Sequence, residues 1–157
     1  MANILEAFGS SGQSITCTFT SLTNNSARQS TVVDNTSNLF LDALLFIKVK
    51  AGAASTSSTG FVAVYAYGTV DGGTSYSDGA SGSDSSITLT VPPNMKLVGI
   101  VNVVADSATY YGGPFSVASA FGGVLPAKWG IVVVNKTGAT LDASIGAATY
   151  QGFYQTA

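Results

Sequence analysis

Residues 39–49 read LFLDALLFIKV, and every second position, counted from the first, is apolar. Successive side chains of a β-strand point to opposite faces, so this period of two predicts a strand with one fully apolar face. The other face is apolar from Phe40 to Phe46 except at Asp42, and it turns polar towards its end at Lys48. Residues 61–70 repeat the alternation with apolar side chains on both faces. Both strands are therefore expected at the centre of a sheet, or beneath a neighbouring subunit.

Shorter alternating stretches on either side bring the expected number of strands to eight or nine. They lie at residues 14–20, 31–34, 87–91, 97–105, 115–121, 129–135 and 149–155. Turn residues such as Gly112-Gly113-Pro114 separate them, and no stretch shows the three-and-four spacing of a helix longer than two turns. The sequence therefore predicts an all-β, single-domain β-sandwich, and the long connections between several strands favour a jelly roll.

One domain is expected to span residues 1–157, because no linker, charge run or internal repeat divides the chain. Within it, residues 1–12 are expected to form an extended N-terminal arm. Residues 71–86 are rich in Gly and Ser and are predicted to form one long exposed loop.

Charged residues make up only 9% of the chain, against about a quarter in an average globular protein. The solvent faces must therefore consist mainly of Ser, Thr, Asn and Gly, which is typical of a weakly charged β-sandwich. The net charge of −2 and the six scattered basic residues provide no stripe for phosphates, so no nucleic-acid partner is expected. No membrane partner is expected either, since charges interrupt the longest apolar stretch. The N-terminus lacks a secretory signal pattern, so synthesis in the cytoplasm is expected.

Histidine is absent, which removes the commonest general base, the usual triad partner and the usual transition-metal ligand. The single cysteine, Cys17, alternates with Ile15 and Phe19 and is expected to be a buried, inert thiol. Most carboxylates stand at strand ends or turns, where Asp is a common turn residue, and no pair is marked as convergent. They are Glu6, Asp34, Asp42, Asp71, Asp78, Asp84, Asp106 and Asp142. The chain is not expected to be an enzyme, and no catalytic residue is predicted.

Asp71, Asp78 and Asp84 share the 71–86 loop and carry the oxygen ligands that Ca²⁺ prefers. Their spacing of seven and six residues matches no compact calcium loop, so a solvated loop is the expectation. No metal-binding or cofactor-binding residue, and no cofactor, is predicted.

Aromatic side chains are the best candidates for contacts, because exposed Tyr and Trp favour both sugar stacking and protein interfaces. On alternating strands many of them must face the core, and Trp129 is expected in core or strand-edge packing. The candidates are Tyr65, Tyr67, Tyr76, Tyr110, Tyr111, Trp129, Tyr150, Phe153 and Tyr154.

Three segments stand out in the C-terminal half: residues 91–99 (VPPNMKLVG), 125–135 (LPAKWGIVVVN) and 149–154 (TYQGFY). In style and order they resemble small structural proteins encoded by tailed bacteriophages. The resemblance implies a protein located in the virion, in first place a capsid decoration (cement) protein on the outside of a phage head. A tail or baseplate component is the alternative within this class. The implied partners are the major capsid protein or other virion proteins, and the resemblance carries over no functional residues.

Two other classes stay open: a carbohydrate-binding or host-recognition module with an exposed Tyr and Trp platform, and a hydrolase with two facing carboxylates. The chain offers more apolar strand surface than a sandwich of this size needs, on both faces of residues 39–47 and 61–67. We expect identical copies or a shell protein to cover the surplus, since large exposed apolar patches are rare on monomers. A homo-oligomer is therefore expected, with a trimer favoured because it matches the local three-fold positions of an icosahedral lattice.

Overall fold

Eleven strands and two short 3₁₀ turns form the structure, a computed structural model that describes residues 4–156. The strands are β1 (Leu5–Phe8), β2 (Gln13–Ile15), β3 (Ala27–Gln29), β4 (Val33–Asp34), β5 (Asp42–Ala51), β6 (Phe61–Thr69), β7 (Ser85–Ile87), β8 (Lys96–Asn102), β9 (Thr109–Ser116), β10 (Lys128–Lys136) and β11 (Leu141–Thr156). The turns are Ser77–Gly79 and Ala118–Phe121. In the described range no helix has the length and apolar character that a bilayer span requires. The predicted all-β class is confirmed, with more strands than expected.

The strands form two antiparallel sheets that pack face to face. Sheet A has the order β1–β11–β5–β9, with β2 beside β1 on the same edge of β11. Sheet B has the order β7–β3–β10–β6–β8, with β4 beside β3 on β10. The predicted β-sandwich is confirmed. The jelly roll stays a prediction, which the alternation of most consecutive strands between the two sheets favours.

The main core lies between the two sheets and is built by the alternating strands. On β5, every second side chain from Ala43 to Ala51 is fully buried, as the period of two predicts. Trp129 of β10 is 1% exposed and meets Tyr150 of β11 edge-on, with 5.3 Å between ring centroids. Core packing of Trp129 is thus confirmed, and β5 and β6 hold the central positions predicted for them.

The predicted strand at residues 39–49 begins only at Asp42. Asn35 holds the preceding loop, since its side chain accepts a hydrogen bond from the Phe40 amide and donates one to the Phe40 carbonyl, each at 2.9 Å. Within this loop Leu39 has a φ of +53° and lies 71% exposed. The apolar alternation at 39–41 was therefore misleading, because the side-chain hydrogen bonds of Asn35 impose a turn there.

The predicted turn at Gly112-Gly113-Pro114 is wrong, and of the predicted strand at 115–121 only residues 115–116 belong to a strand. The glycines and the proline lie inside β9, an edge strand, where a residue without an N–H leaves no neighbour unpaired. Gly112 fits because a Cβ there would lie 2.2 Å from the Val101 side chain. Residues 118–121 form a 3₁₀ turn instead of continuing the strand.

Other boundaries also differ from the sequence prediction. Strand β11 starts eight residues before the predicted residue 149, and residues 88–91 lie outside any strand. Of the arm expected at residues 1–12, Leu5–Phe8 form β1 on the edge of sheet A, and residues 1–3 lie outside the described range. The 71–86 stretch contains a 3₁₀ turn and the start of β7.

Candidate interaction surface

The outer face of sheet B is covered by the chain itself. Residues 70–95, here called the covering segment, cross this face between β6 and β8. A second apolar cluster forms beneath them, separate from the main core. It joins Ala63 and Tyr67 of β6, Val132 and Val134 of β10 and Ala27 of β3 to Tyr76, Ala80, Ile87, Leu89 and Met95 of the covering segment. The apolar surplus expected on residues 61–67 is thus largely covered within one chain.

Tyr67 is the centre of this second cluster. Its ring is fully buried and meets Tyr76 edge-on at 5.3 Å, while its hydroxyl donates a 2.7 Å hydrogen bond to the Ser30 carbonyl. Burial raises the pKa of Tyr67 to about 12. Gly130 makes room for the ring, because a Cβ there would lie 2.3 Å from it.

Asp78 fixes one end of the covering segment. Its carboxylate accepts hydrogen bonds from the Thr90 hydroxyl at 2.6 Å, from the Asn94 amide at 2.9 Å and from the Met95 amide at 3.2 Å. Burial opposes ionisation of this carboxyl, but the hydrogen bonds outweigh it and keep its pKa below the usual range. The carboxylate therefore joins the 3₁₀ turn to the loop that leads into β8.

Asp84 fixes the middle of the covering segment, directly before β7. It accepts hydrogen bonds from the Thr18 amide at 3.0 Å and the Thr18 hydroxyl at 2.5 Å, and pairs with the Arg28 guanidinium at 2.6 Å. Burial opposes ionisation, yet the bonds from Arg28 and Thr18 hold its pKa low. Asp71 closes a local turn through hydrogen bonds from Thr69, Thr74 and Ser75, which also lower its pKa.

The three aspartates of the 71–86 loop thus serve separate hydrogen-bonding networks. Across residues 4–156, no three His, Cys, Asp or Glu side chains come together as a metal site. The other four aspartates also accept hydrogen bonds. Asp34 and Asp142 accept them locally, from Thr36 and from Ser144 and Ile145, whereas Asp42 also accepts one from the distant Ala118, and Asp106 accepts one from the distant Thr56. All seven aspartates therefore hold loops or strand ends in place.

Cys17 lies on the buried side of the segment that joins sheet A to sheet B, between Ile15 and Phe19 as predicted. It is 8% exposed, and its thiol lies 3.7 Å from the Arg28 carbonyl. Burial, with a smaller effect of the Asp84 charge, raises the pKa of the thiol to about 12. The side chain packs as a small apolar group.

The outer face of sheet A has no such cover among the described residues. Its apolar side chains form a band across four strands of the sheet, here called the aromatic face: Phe8 of β1, Phe153 of β11, Leu44 and Phe46 of β5, and Tyr111 of β9. Phe8 is 54% exposed, Phe46 40% and Tyr111 62%. The rings contact one another in pairs, Phe8 with Phe153 at 5.6 Å and Phe46 with Tyr111 at 6.1 Å. Lys48 lies beside the band, with its Nζ 5.9 Å from the centre of the Tyr111 ring.

The aromatic candidates from the sequence divide between core and surface. Tyr67, Trp129 and Tyr150 are buried, and Tyr111 is the exposed one. The others are half-buried: Tyr65, Tyr76, Tyr110, Tyr154 and Phe153. Sequence reasoning missed Phe8 and Phe46 as surface aromatics. The sequence did indicate exposure of Phe46, since this residue alternates with the buried side chains of β5 and must point to the opposite face of the sheet.

The surface also carries smaller apolar hollows, two of which border exposed side chains. A hollow of about 290 Å³ lies at the end of the sandwich, bordered by the exposed side chains of Leu39, Leu41 and Val124. A groove of about 440 Å³ runs beside Tyr65, under Leu89 and Val91. Neither brings charged side chains together, so both are better suited to contact with another molecule than to catalysis.

Comparison of this chain with family models, with curated proteins and with solved structures gave no match.

Proposed function

We propose that this chain is a structural virion protein, a capsid decoration (cement) protein that binds the outside of a phage head as a homo-oligomer. The observation that carries the proposal is the aromatic face of sheet A. Five large apolar side chains adjoin there on the outer face of one sheet, and three of them are at least 40% exposed. Contiguous exposed apolar patches of this kind mark contact sites.

The sparse charge of the chain supports the same role. With 9% charged residues, its surface repels neighbouring copies weakly, which suits close packing in an assembly. Contacts through the aromatic face rest on apolar packing, so they persist at about 1 M salt, where charges are screened beyond about 3 Å.

A tail or baseplate component would use the same face in the same way. A carbohydrate-binding or host-recognition module is the second candidate, favoured by the exposed ring of Tyr111 beside Lys48, since exposed aromatic rings with a polar neighbour stack on sugars.

The test is binding to particles. Mass spectrometry of purified phage particles detects the chain and its copy number, and light scattering follows the purified protein with empty capsids at low and at about 1 M salt. We expect saturable binding at both salt concentrations, which Phe46→Ser weakens because it disrupts the homo-oligomer, and which the control Val91→Ser leaves unchanged, because Val91 is exposed elsewhere. A chain that never binds particles but is retained on a glycan array through Tyr111 would contradict the decoration role and support the second candidate.

A further inference from the structure

We propose that the aromatic face joins two copies of this chain, related by a two-fold axis that lies in the plane of the interface and crosses β11 near Gln151. The inference rests on the proposed role of this face as a contact surface, and it names the partner as a second copy of the chain.

The strand register places two opposite charges on either side of Gln151. Glu6 of β1 pairs with Gln155 of β11, and Lys48 of β5 pairs with Ala147 of β11. Along the strands the two charges are therefore about 26 Å apart, at roughly 3.3 Å per residue, and across the sheet about 10 Å apart. Gln151 lies midway between them in both directions.

Neither charge is neutralised within the described part of the chain. The ion pairs there join Arg28 to Asp84 and Lys50 to Asp142. Glu6 is exposed, and Lys48 lies over the edge of the aromatic face. An exposed acid and a half-buried base at opposite corners of one apolar face make that face complementary to itself.

A two-fold axis at Gln151, perpendicular to the line from Glu6 to Lys48, makes use of this complementarity. It places Glu6 of each copy opposite Lys48 of the other copy, so that two ion pairs flank the contact. The same operation brings Phe46 of one copy over Phe153 of the other, again twice, and leaves Phe8 over Thr149. A single axis thus pairs both charges with opposite charges and also packs aromatic rings of the two copies against each other.

The geometry also agrees with ordinary sheet packing. The line from Glu6 to Lys48 is inclined by roughly 20° to the strands, so the strands of the two copies cross at roughly 40°, close to the roughly 30° of aligned sheets. A three-fold contact, which the sequence argument favoured, joins two different patches, whereas a face complementary to itself matches a two-fold.

The test uses charge reversal in the whole chain. We expect Glu6→Lys and Lys48→Glu each to weaken self-association about 10- to 100-fold at low salt, because each creates two like-charge contacts in the dimer. An equimolar mixture of the two variants recovers wild-type association, since every contact in a mixed pair joins a lysine to a glutamate. The double variant recovers it alone for the same reason. Lys96→Glu on β8 of sheet B is the matched control and has no effect.

Sedimentation equilibrium or size-exclusion chromatography with light scattering measures all six samples, the wild type included, with circular dichroism as the check on folding. At about 1 M salt the defect of the single variants shrinks. Single variants that associate like the wild type, or a mixture no better than its components, would overturn the inference. A wild-type monomer that binds capsids overturns the dimer and leaves the decoration role standing. A wild-type dimer with the expected charge response that ignores capsids supports the dimer and contradicts the decoration role.

Discussion

The outer faces of the two sheets carry similar apolar side chains but meet different surroundings. On sheet B, Tyr67 points outward from a central strand and is fully buried beneath the covering segment. On sheet A, Phe46 points outward from the equally central β5 and is 40% exposed. The difference lies in the chain connections, since 26 residues join β6 to β8 across sheet B, whereas no described segment crosses sheet A. An outward-facing aromatic residue therefore stabilises the fold on one sheet and is free to make contacts on the other.

The largest effect is expected when one outward-facing aromatic side chain on each sheet is truncated to alanine. We expect Tyr67→Ala to lower the free energy of unfolding by about 3–5 kcal/mol, because it leaves a cavity and an unpaired Ser30 carbonyl. We expect Phe46→Ala to lower it by less than about 1 kcal/mol. Urea denaturation at low protein concentration measures both. Tyr67→Phe, which removes the hydroxyl alone, should fall between the two, and equal losses for the two alanine variants would abolish the distinction between the faces.

A second test loosens the cover without altering the sheet. Asp78→Ala removes the acceptor for Thr90, Asn94 and Met95, and we expect a loss of about 1–2 kcal/mol. Amide hydrogen exchange at Asn94 and Met95 should quicken, since both lose their acceptor. Asp34→Ala is the control, because Asp34 bonds only to Thr36 two residues on, and exchange at Met95 should not respond to it. Unchanged exchange in Asp78→Ala would show that apolar packing alone holds the covering segment.

Acid should act on the same carboxylates. Hydrogen bonds hold the pKa of Asp71, Asp78 and Asp84 below the unfolded value of about 3.9. A depressed folded pKa stabilises the fold fully above the unfolded value, and this contribution is lost as the pH falls from about 3.9 towards the folded pKa. We expect the free energy of unfolding to be level between about pH 5 and 7 and to decrease below about pH 4. Urea titrations across this range measure it, and Asp78→Asn should flatten the acid limb.

The smallest effect should appear at Cys17, which reports on how firmly Asp84 holds the covering segment to Thr18 and Arg28. The buried thiol, with its pKa raised to about 12, should resist thiol reagents at pH 8 and react after unfolding. Asp84→Ala removes the acceptor for Thr18 and Arg28, and we expect about tenfold faster labelling of the native protein. Rapid labelling of the wild type would contradict the burial of this segment.

Alternation predicted the central strands well because burial repeats at every second residue there. Strands β5, β6 and β10 each bury one face in the main core, and residues 61–70 and 129–135 were predicted within a residue or two of their observed bounds. The prediction failed where local chemistry overrides the pattern. Asn35 bends the chain through an apolar stretch, and Gly112-Gly113-Pro114 continues an edge strand that its composition would end.

The two outer faces were harder to predict. The apolar residues of the covering segment that meet sheet B, such as Tyr76, Ala80 and Met95, are too sparse to form a regular alternation. Without that signal, the Gly- and Ser-rich composition of residues 71–86 indicated an exposed loop. The sequence indicated the exposed side of β5, because Phe46 alternates with the buried side chains of that strand. The other rings of the aromatic face, Phe8 and Phe153, are far apart in sequence, and only the pairing of β1 with β11 brings them together.

The position of β10 and β11 has a consequence for how the protein is made. These strands come last in sequence, yet β10 lies between β3 and β6, and β11 lies between β1 and β5. Synthesis proceeds from the N-terminus. β5 therefore leaves the ribosome before its partner β11 has been made, and β6 leaves it before its partner β10. Long-range pairing of this kind folds slowly and leaves apolar strands open meanwhile. Neither sheet can close until β10 and β11 are available, and until then the apolar strands of the nascent chain remain open to aggregation.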